Sequence, residues 1–392
     1  MRIAHVITRL IVGGAQENTI SSVLGLNNKK DITVKLYSGP TTGPEGSLET
    51  LFSDSPALFH LVPSLVRPIR PLSDYLAYRY LAQEFIKFKP DIVHTHSGKA
   101  GFIGRLAAKS AGVKIIIHSI HGPSFGNYQG WLANTLYRNA EKFAAKYTDH
   151  FITVADAMKE QYINAGIGQE NIYTKIFSGF NLDPFMNTDN SEDIRNQLGI
   201  NKDNFIVGKI ARLFELKGHD SLFKIAPNLV KKIPNIKFLI VGDGPWKSRF
   251  KKTANKINFG KNFVFTGLVK PSRIPSIISS MDALVHLSRR EGLPRALPQA
   301  MAAAKPIVAF DYDGAREVCH NERTGFLVNQ NDLEGLEKSI ICLFKDNKLR
   351  KKLGQSGQEF VRDKFTIKKL IEEQYQLYQR LIDNYYARIE ST

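Results

Sequence analysis

The feature that most constrains this chain is a rhythm along most of its length: short runs of β-branched and apolar residues alternate with longer segments of helical apolar spacing. Such alternation is the pattern of parallel α/β units, in which each strand returns through a helix to lie beside the next. In the first half the predicted strands fall at 3–7, 32–37, 58–62, 91–95, 115–119 and 151–154, and in the second at 205–210, 237–241, 262–266, 283–287 and 306–310. Between the two sets, Gly179, Asp183, Pro184 and a polar TDNSED run interrupt the pattern across 180–190. The reading is α/β: two doubly wound parallel-sheet domains at 1–182 and 183–365. A final helix at 366–392 carries Ile367, Leu370, Ile371, Tyr375, Tyr378 and Ile382 as an apolar stripe, spaced to pack back across both domains.

A chain of 392 residues is about right for two such domains. No run approaches the roughly 18–20 apolar residues of a membrane-spanning helix. The opening MRIAHVITRLIVGGAQ has an arginine inside its short apolar stretch and no small-residue cleavage site, so it reads as a first strand and the expected location is the cytoplasm. Cys319 and Cys342 lack metal or disulfide spacing and read as small core residues. The formal charge of +17, spread over both halves, asks for an anionic partner: a nucleotide diphosphate, an anionic lipid or nucleic acid.

After the first strand, Gly13 and Gly14 open a helix, where missing side chains let backbone amides approach an anion; a tight turn would use the same glycines. The richest stretch is SRREGLPRALPQAMAAAKPIVAFDYDGAREVCHNERTGFLV, residues 288–328. It resembles the donor-binding region of the retaining glycosyltransferases of family 4, in which one Glu, a second Glu eight positions later on a small-residue helix, a PIVA-like strand and a TGFLV-like strand follow one another. Three further stretches match that family: GKIARL with Lys217-Gly218, then VGDGP around Gly244, then FTG ending at Gly267. In the first half, DIVHTHS, KAG, Gly104-Arg105 and HSIHG resemble members that build polysaccharides. The resemblance covers nearly the whole chain.

It implies the fold called GT-B, two Rossmann-like domains facing a central cleft, the first binding acceptor and the second a nucleotide-sugar donor, UDP-sugar favoured over GDP-sugar. It also implies transfer with retention, in which the acceptor attacks the face from which the diphosphate departs. Arg212 and Lys217 correspond to the cations that hold the diphosphate, as a leaving group gaining charge requires. Leu293, Arg295 and Leu297 lie where helix-entering amides reach the same phosphates, although Pro294 and Pro298 remove two donors. Glu291 corresponds to the residue that contacts hydroxyls of the transferred sugar. Gln299 stands where the family commonly has a Glu on the ribose, and its amide lacks the charge. His121 matches a histidine near sugar and diphosphate; a strand-end histidine is otherwise a structural hydrogen-bonder.

No cofactor or metal is expected. Asp311-Tyr312-Asp313 has D-x-D spacing inside a family-matching loop, and the pairs His94/His96 and His118/His121 have no carboxylate spaced with them. The expected partners are a nucleotide-sugar and a glycan or lipid-linked acceptor. Two rival readings remain at this point. One is a hydrolase, epimerase or sugar-phosphate-using enzyme of the same fold. The other is a basic nucleic-acid binder, which explains the charge but none of the motifs, and no specific nucleic-acid module is visible. Around 61–71 and 131–147, apolar residues mix with Arg67, Arg70, Arg138, Lys142 and Lys146, fitting contact with an anionic membrane or, equally, a rigid loop and a core-packed helix.

Overall fold

The computed structural model describes residues 1–43, 46–126, 128–188 and 191–391. The chain forms two compact units, Met1–Phe180 with Ile367–Thr392, and Asn181–Thr366. The interruption read at 180–190 reaches positions 189 and 190, which lie outside the described residues.

In the first unit seven strands, β1 (Arg2–Ile7), β2 (Thr33–Ser38), β3 (Phe59–Leu61), β4 (Ile92–His96), β5 (Ile115–Ile120), β6 (His150–Thr153) and β7 (Tyr173–Lys175), form one sheet in the order β3-β2-β1-β4-β5-β6-β7. Every neighbouring pair is parallel. β4 and β5 are buried at every position because helices cover both faces of the sheet; each opens on apolar residues and carries buried polar ones toward its carboxyl end, His94, Thr95 and His96 on β4 and His118 and Ser119 on β5. The period of two divides β1 cleanly. Ile3 and Ile7 join a core with Val23, Leu26, Ile117 and Tyr378, while Ala4 and Val6 join the opposite one with Leu81, Phe85 and Ile103.

The last helix, Ile367–Glu390, lies on the first of these faces, against the Gly14–Asn27 helix. Gly25 makes that approach: a Cβ there would sit 1.9 Å from Ile371 Cδ1, so the two helices touch through a notch only glycine provides. A mid-helix glycine costs roughly 0.5–1 kcal/mol against alanine, which the interhelical packing offsets.

The second unit holds β8 (Phe205–Ile210), β9 (Ile236–Val241), β10 (Phe263–Gly267), β11 (Ala283–His286), β12 (Ile307–Asp311) and β13 (Gly325–Asn329), all parallel, in the order β10-β9-β8-β11-β12-β13. Phe223, Leu229, Phe238, Ile240, Val285, Val308, Phe310 and Leu343 fill its core. Both sheets are thus doubly wound, as the alternation predicts. The sequence reading did not anticipate β7, a three-residue edge strand too short to show any periodicity.

Candidate functional site

In an open doubly wound sheet, ligands bind beyond the carboxyl ends of the strands, where the strand order reverses and neighbouring loops part. In the second unit that point lies between β8 and β11. The loop after β8 carries Arg212 and Lys217; the loop after β11 carries Glu291. They meet there: Lys217 Nζ donates to Glu291 Oε1, with the two side chains 18% and 23% exposed, and the His286 Nε2 lies 3.8 Å from the same oxygen. The loops are tied by backbone, Arg289 N–H to Leu216 carbonyl at 2.8 Å, and by Ser288 Oγ to the same carbonyl at 3.2 Å. Gly218 ends the Lys217 turn at φ +67°, and a Cβ there would fall 1.8 Å from the Leu287 carbonyl, so the close approach of the two loops requires glycine.

Electrostatics at this point are dense. Burial pushes the Glu291 carboxyl up, but the Lys217 charge, His286 and hydrogen bonds from Lys217 and Ser288 outweigh it and hold Glu291 below the usual range. Lys209, on β8, is fully buried; burial and then the Lys217 charge bring its ammonium down to about 7. Burial lowers His286 to about 3 and His219 to about 2, so both rings are neutral; His286 Nε2 and both His219 nitrogens are buried without a hydrogen-bond partner. Asp313 accepts the Glu291 backbone N–H at 2.8 Å, and Gly314 N–H bonds the Gly292 carbonyl at 3.1 Å, so the turn after β12 holds the Glu291 loop from behind. Burial lifts Asp313 to about 6, the Glu291 N–H opposing and the Glu291 charge adding. Lys209, His286, His219 and this bracing role of Asp313 escape the sequence reading. The visible signals were Lys209 and His286 inside strand patterns, His219 just after the Lys217-Gly218 pair and the D-x-D spacing, none of which says what they face.

The remaining residues of the second unit are placed as follows. Arg212 and Lys217 flank one ring, 5.8 and 5.9 Å from the Phe214 centroid. Gly244 packs on the same loop, where a Cβ would lie 2.5 Å from the Leu213 carbonyl, and Leu213 N–H bonds the Asp243 carbonyl at 2.9 Å. The Gly267 carbonyl accepts the Gly242 N–H at 3.1 Å, drawing the end of β10 to this group of loops. Leu293 and Leu297 are buried by side chain, and the Leu297 amide is bonded to the Pro294 carbonyl at 3.2 Å. Arg295 is the N-cap of the short Ala296–Ala302 helix, on which the Gln299 side chain is buried.

Gly13, Gly14 and His121 belong to the first unit. Gly13 caps the Gly14–Asn27 helix and its carbonyl accepts the Glu17 N–H at 2.9 Å; a Cβ on Gly14 would meet nothing within 4 Å. His121 follows β5 and sits in an unanticipated cluster at the point between β1 and β4 where this sheet reverses. His5 pairs in register with His94, and His96 lies two residues on, so all three rings share one face. His5 Nδ1 and His96 Nε2 are 2.9 Å apart, and His96 Nδ1 and His121 Nε2 3.0 Å. His94 bonds Tyr378 Oη at 2.5 Å and Ser119 Oγ at 2.7 Å. Burial brings His5 to about 3 and His121 to about 4, and holds His94 and His96 well below the usual histidine range. His5, His94 and His96 bring potential metal-ligating nitrogens within 4.8 Å of one another, the one such group among the described residues.

Two family models match the chain, one described as Glycosyltransferase Family 4 over residues 12–174 and one as Glycosyl transferases group 1 over 190–360. It is 28% identical over 390 residues to the UDP-Gal:alpha-D-GlcNAc-diphosphoundecaprenol alpha-1,3-galactosyltransferase of Escherichia coli, covering 98% of each chain. It is 30% identical over 332 residues to EpsD of Bacillus subtilis, described as a glycosyltransferase, covering 82% of this chain and 84% of that one. Among solved structures it is similar to HepE of Anabaena in complex with UDP-glucose, with a TM-score of 0.81 and 19% identity over 97% of this chain and 100% of that one.

Proposed function

Since the chain belongs to glycosyltransferase family 4, we propose that it moves a sugar, with retention of configuration, from a nucleotide-sugar, UDP-sugar favoured over GDP-sugar, to a glycan or lipid-linked acceptor in building a cell-surface polysaccharide. The observation that carries the reading is the meeting of Lys217 and Glu291 at the carboxyl edge between β8 and β11. An ammonium has three N–H donors, so Lys217 can keep Glu291 and still reach a phosphate oxygen. Arg212, bracketing the same Phe214 ring, is the second diphosphate partner. Charge-assisted bonds of this kind contribute about 1.5–3 kcal/mol each, and they strengthen as the bond to the sugar breaks because charge develops on the leaving oxygen.

In the proposed step the C1–O bond to the diphosphate breaks and its electron pair stays on the phosphate. The acceptor hydroxyl oxygen bonds C1 on the same face, and its proton passes to the departing phosphate oxygen. Glu291, ionised and braced by Asp313, orients the sugar through its hydroxyls, and Gln299 takes the ribose. No metal enters this scheme, since the chain's own cations face the diphosphate.

The acceptor side is read from the first unit. The Trp131–Ala145 helix leaves Trp131 75% exposed, with Leu132, Leu136 and Phe143 also exposed beside Lys142 and Lys146. Apolar side chains among lysines suit peripheral contact with an anionic bilayer, where a lipid-linked acceptor would lie. No helix among the described residues is long and apolar enough to cross a membrane. Sedimentation with anionic vesicles at low salt, released as salt rises, supports that location; no binding at low ionic strength points to a soluble acceptor.

The reaction is tested by offering the purified protein UDP-, GDP- and ADP-sugars and following nucleoside diphosphate release with and without a lipid-linked acceptor. Release of UDP that depends on the acceptor supports the reading. Release at equal rate without acceptor marks a hydrolase, and no release from any donor removes the proposal.

A further inference from the structure

On β8, Phe205 and Val207 point into the apolar core, and Lys209 is the next residue on that face, toward the carboxyl end of the strand. Its residue is 1% exposed, so the ammonium does not snorkel out to bulk solvent as a lysine at a core margin ordinarily does. Among the described residues that ammonium has no hydrogen-bond or ion-pair partner. The carboxylate that acts on it, Glu291, is already bonded to Lys217.

The other groups around Lys209 offer no compensation. Lys217, on the loop after β8, is a like charge. His219, first in the His219–Lys232 helix, and His286, on β11, are neutral, buried and subject to the Lys209 charge. From β9 the register neighbour is Ile240, which carries none. Burial and then Lys217 therefore bring the amine to about 7, with Glu291 opposing. An unpaired buried amine beside an occupied ion pair is a liability, since an apolar side chain of similar volume would pack there without the desolvation. It gains a use when an anion arrives.

We propose that Lys209 is a latent third cation of the donor site, an amine in the free chain that takes one proton from solvent as a nucleoside diphosphate or its sugar ester settles on Lys217. This rests on the reading of Lys217 as a diphosphate contact. A phosphate there cancels the like charge pressing on Lys209 and adds negative charge in its place, and both changes favour the ammonium. The bound chain holds the proton to higher pH than the free chain. Affinity is then greatest at low pH and falls as pH rises through the bound value. Because the diphosphate gains charge as the sugar departs, an ammonium recruited on binding stabilises the departing group more than the bound donor.

Calorimetry of UDP with the full chain at about pH 7 and about pH 9 tests this, both lying above the roughly 6 at which a terminal phosphate titrates. If binding raises the Lys209 value by about one unit, wild type binds UDP about 5-fold more tightly at the lower pH, and a larger shift gives more. Lys209→Met, similar in length and uncharged, should approach wild type at the higher pH and change by less than about 2-fold between the two. Equal UDP affinity at both pH values in wild type overturns the proposal, and so does a pH dependence that persists in folded Lys209→Met. A second readout needs no ligand. In chain labelled with 13Cε-lysine, the signal lost in the variant should titrate at about 7 in the free protein and move upward with UDP. Titration in the ordinary lysine range, about 10.4, overturns the proposal. Should Lys209→Met fail to fold, Lys209→Gln replaces it, and the wild-type affinities still decide. Absence of UDP binding at either pH removes the donor reading and this proposal with it; a free-chain titration at about 7 tells that failure from a failure of Lys209 itself.

Discussion

Lys217→Ala removes one ammonium with two duties, the bond to Glu291 and the proposed bond to the diphosphate. Loss of one charge-assisted bond of about 1.5–3 kcal/mol corresponds to about 10- to 150-fold in kcat/KM, at roughly 1.4 kcal/mol per factor of ten. Because the phosphate gains charge as the sugar departs, kcat itself should fall, with donor KM raised as well. The fold should survive: the pair is near the surface, and its loss costs on the order of 1 kcal/mol. The variant also carries a pH signature. Lys217 is the largest of the influences holding Glu291 below the usual carboxylate range, so without it the Glu291 pKa rises. A depressed carboxyl is ionised above its folded pKa and loses that state as pH falls through it; raising the pKa shifts the acid limb of kcat/KM to higher pH. Nucleotide release across pH 4–8 (about four units, spanning the usual Glu titration), beside thermal melts, measures both effects. A folded variant with kcat/KM within about 2-fold of wild type, or an acid limb that does not move, refutes the placement of Lys217 in the site.

Gln299→Glu should preserve or improve nucleotide affinity by calorimetry while Glu291→Ala mainly depresses turnover, since ribose contacts persist through the reaction and contacts to the migrating sugar tighten in it; the reverse pattern overturns both assignments. Lys209, at about 7, is mostly uncharged at pH 8, roughly one unit above it, and an arriving diphosphate raises its pKa, so UDP binding there should take up a proton, seen as a binding enthalpy that varies with buffer ionisation enthalpy; no variation separates Lys209 from the phosphates. Arg105 Nη2 donates to Glu141 Oε2 at 2.6 Å with both side chains buried, so Arg105→Ala should destabilise by about 3–5 kcal/mol and Arg105→Met with Glu141→Leu should recover most of it; a melt unchanged in Arg105→Ala refutes the role.

Arg105 shows where legibility ended. It was visible as part of a family-like stretch, but its partner lies 36 residues away on another helix, and nothing in local spacing announces a buried ion pair. The same holds for His5 and His96, 91 residues apart and joined only because β1 and β4 are neighbours. The sheets themselves were legible because central parallel strands must be apolar on both faces and the helices between them on one, a contrast that survives in a single sequence. β7 lacked that contrast, being three residues at an edge. Around Glu291 the local motif pointed to the loop, while the electrostatic setting came from Lys209 on β8, His286 on β11 and Asp313 after β12, which only the strand order brings to one place.

The central claim, retaining transfer by residues of this chain, is tested most directly by the stereochemistry of the product. The protein is supplied in EDTA with an α-linked UDP-sugar that it consumes and a lipid-linked acceptor, and the anomeric proton coupling of the new linkage is read by NMR. The account predicts an α-linked product formed at the same rate with and without chelator; a β-linked product, or activity that returns only on adding magnesium or manganese, would contradict it.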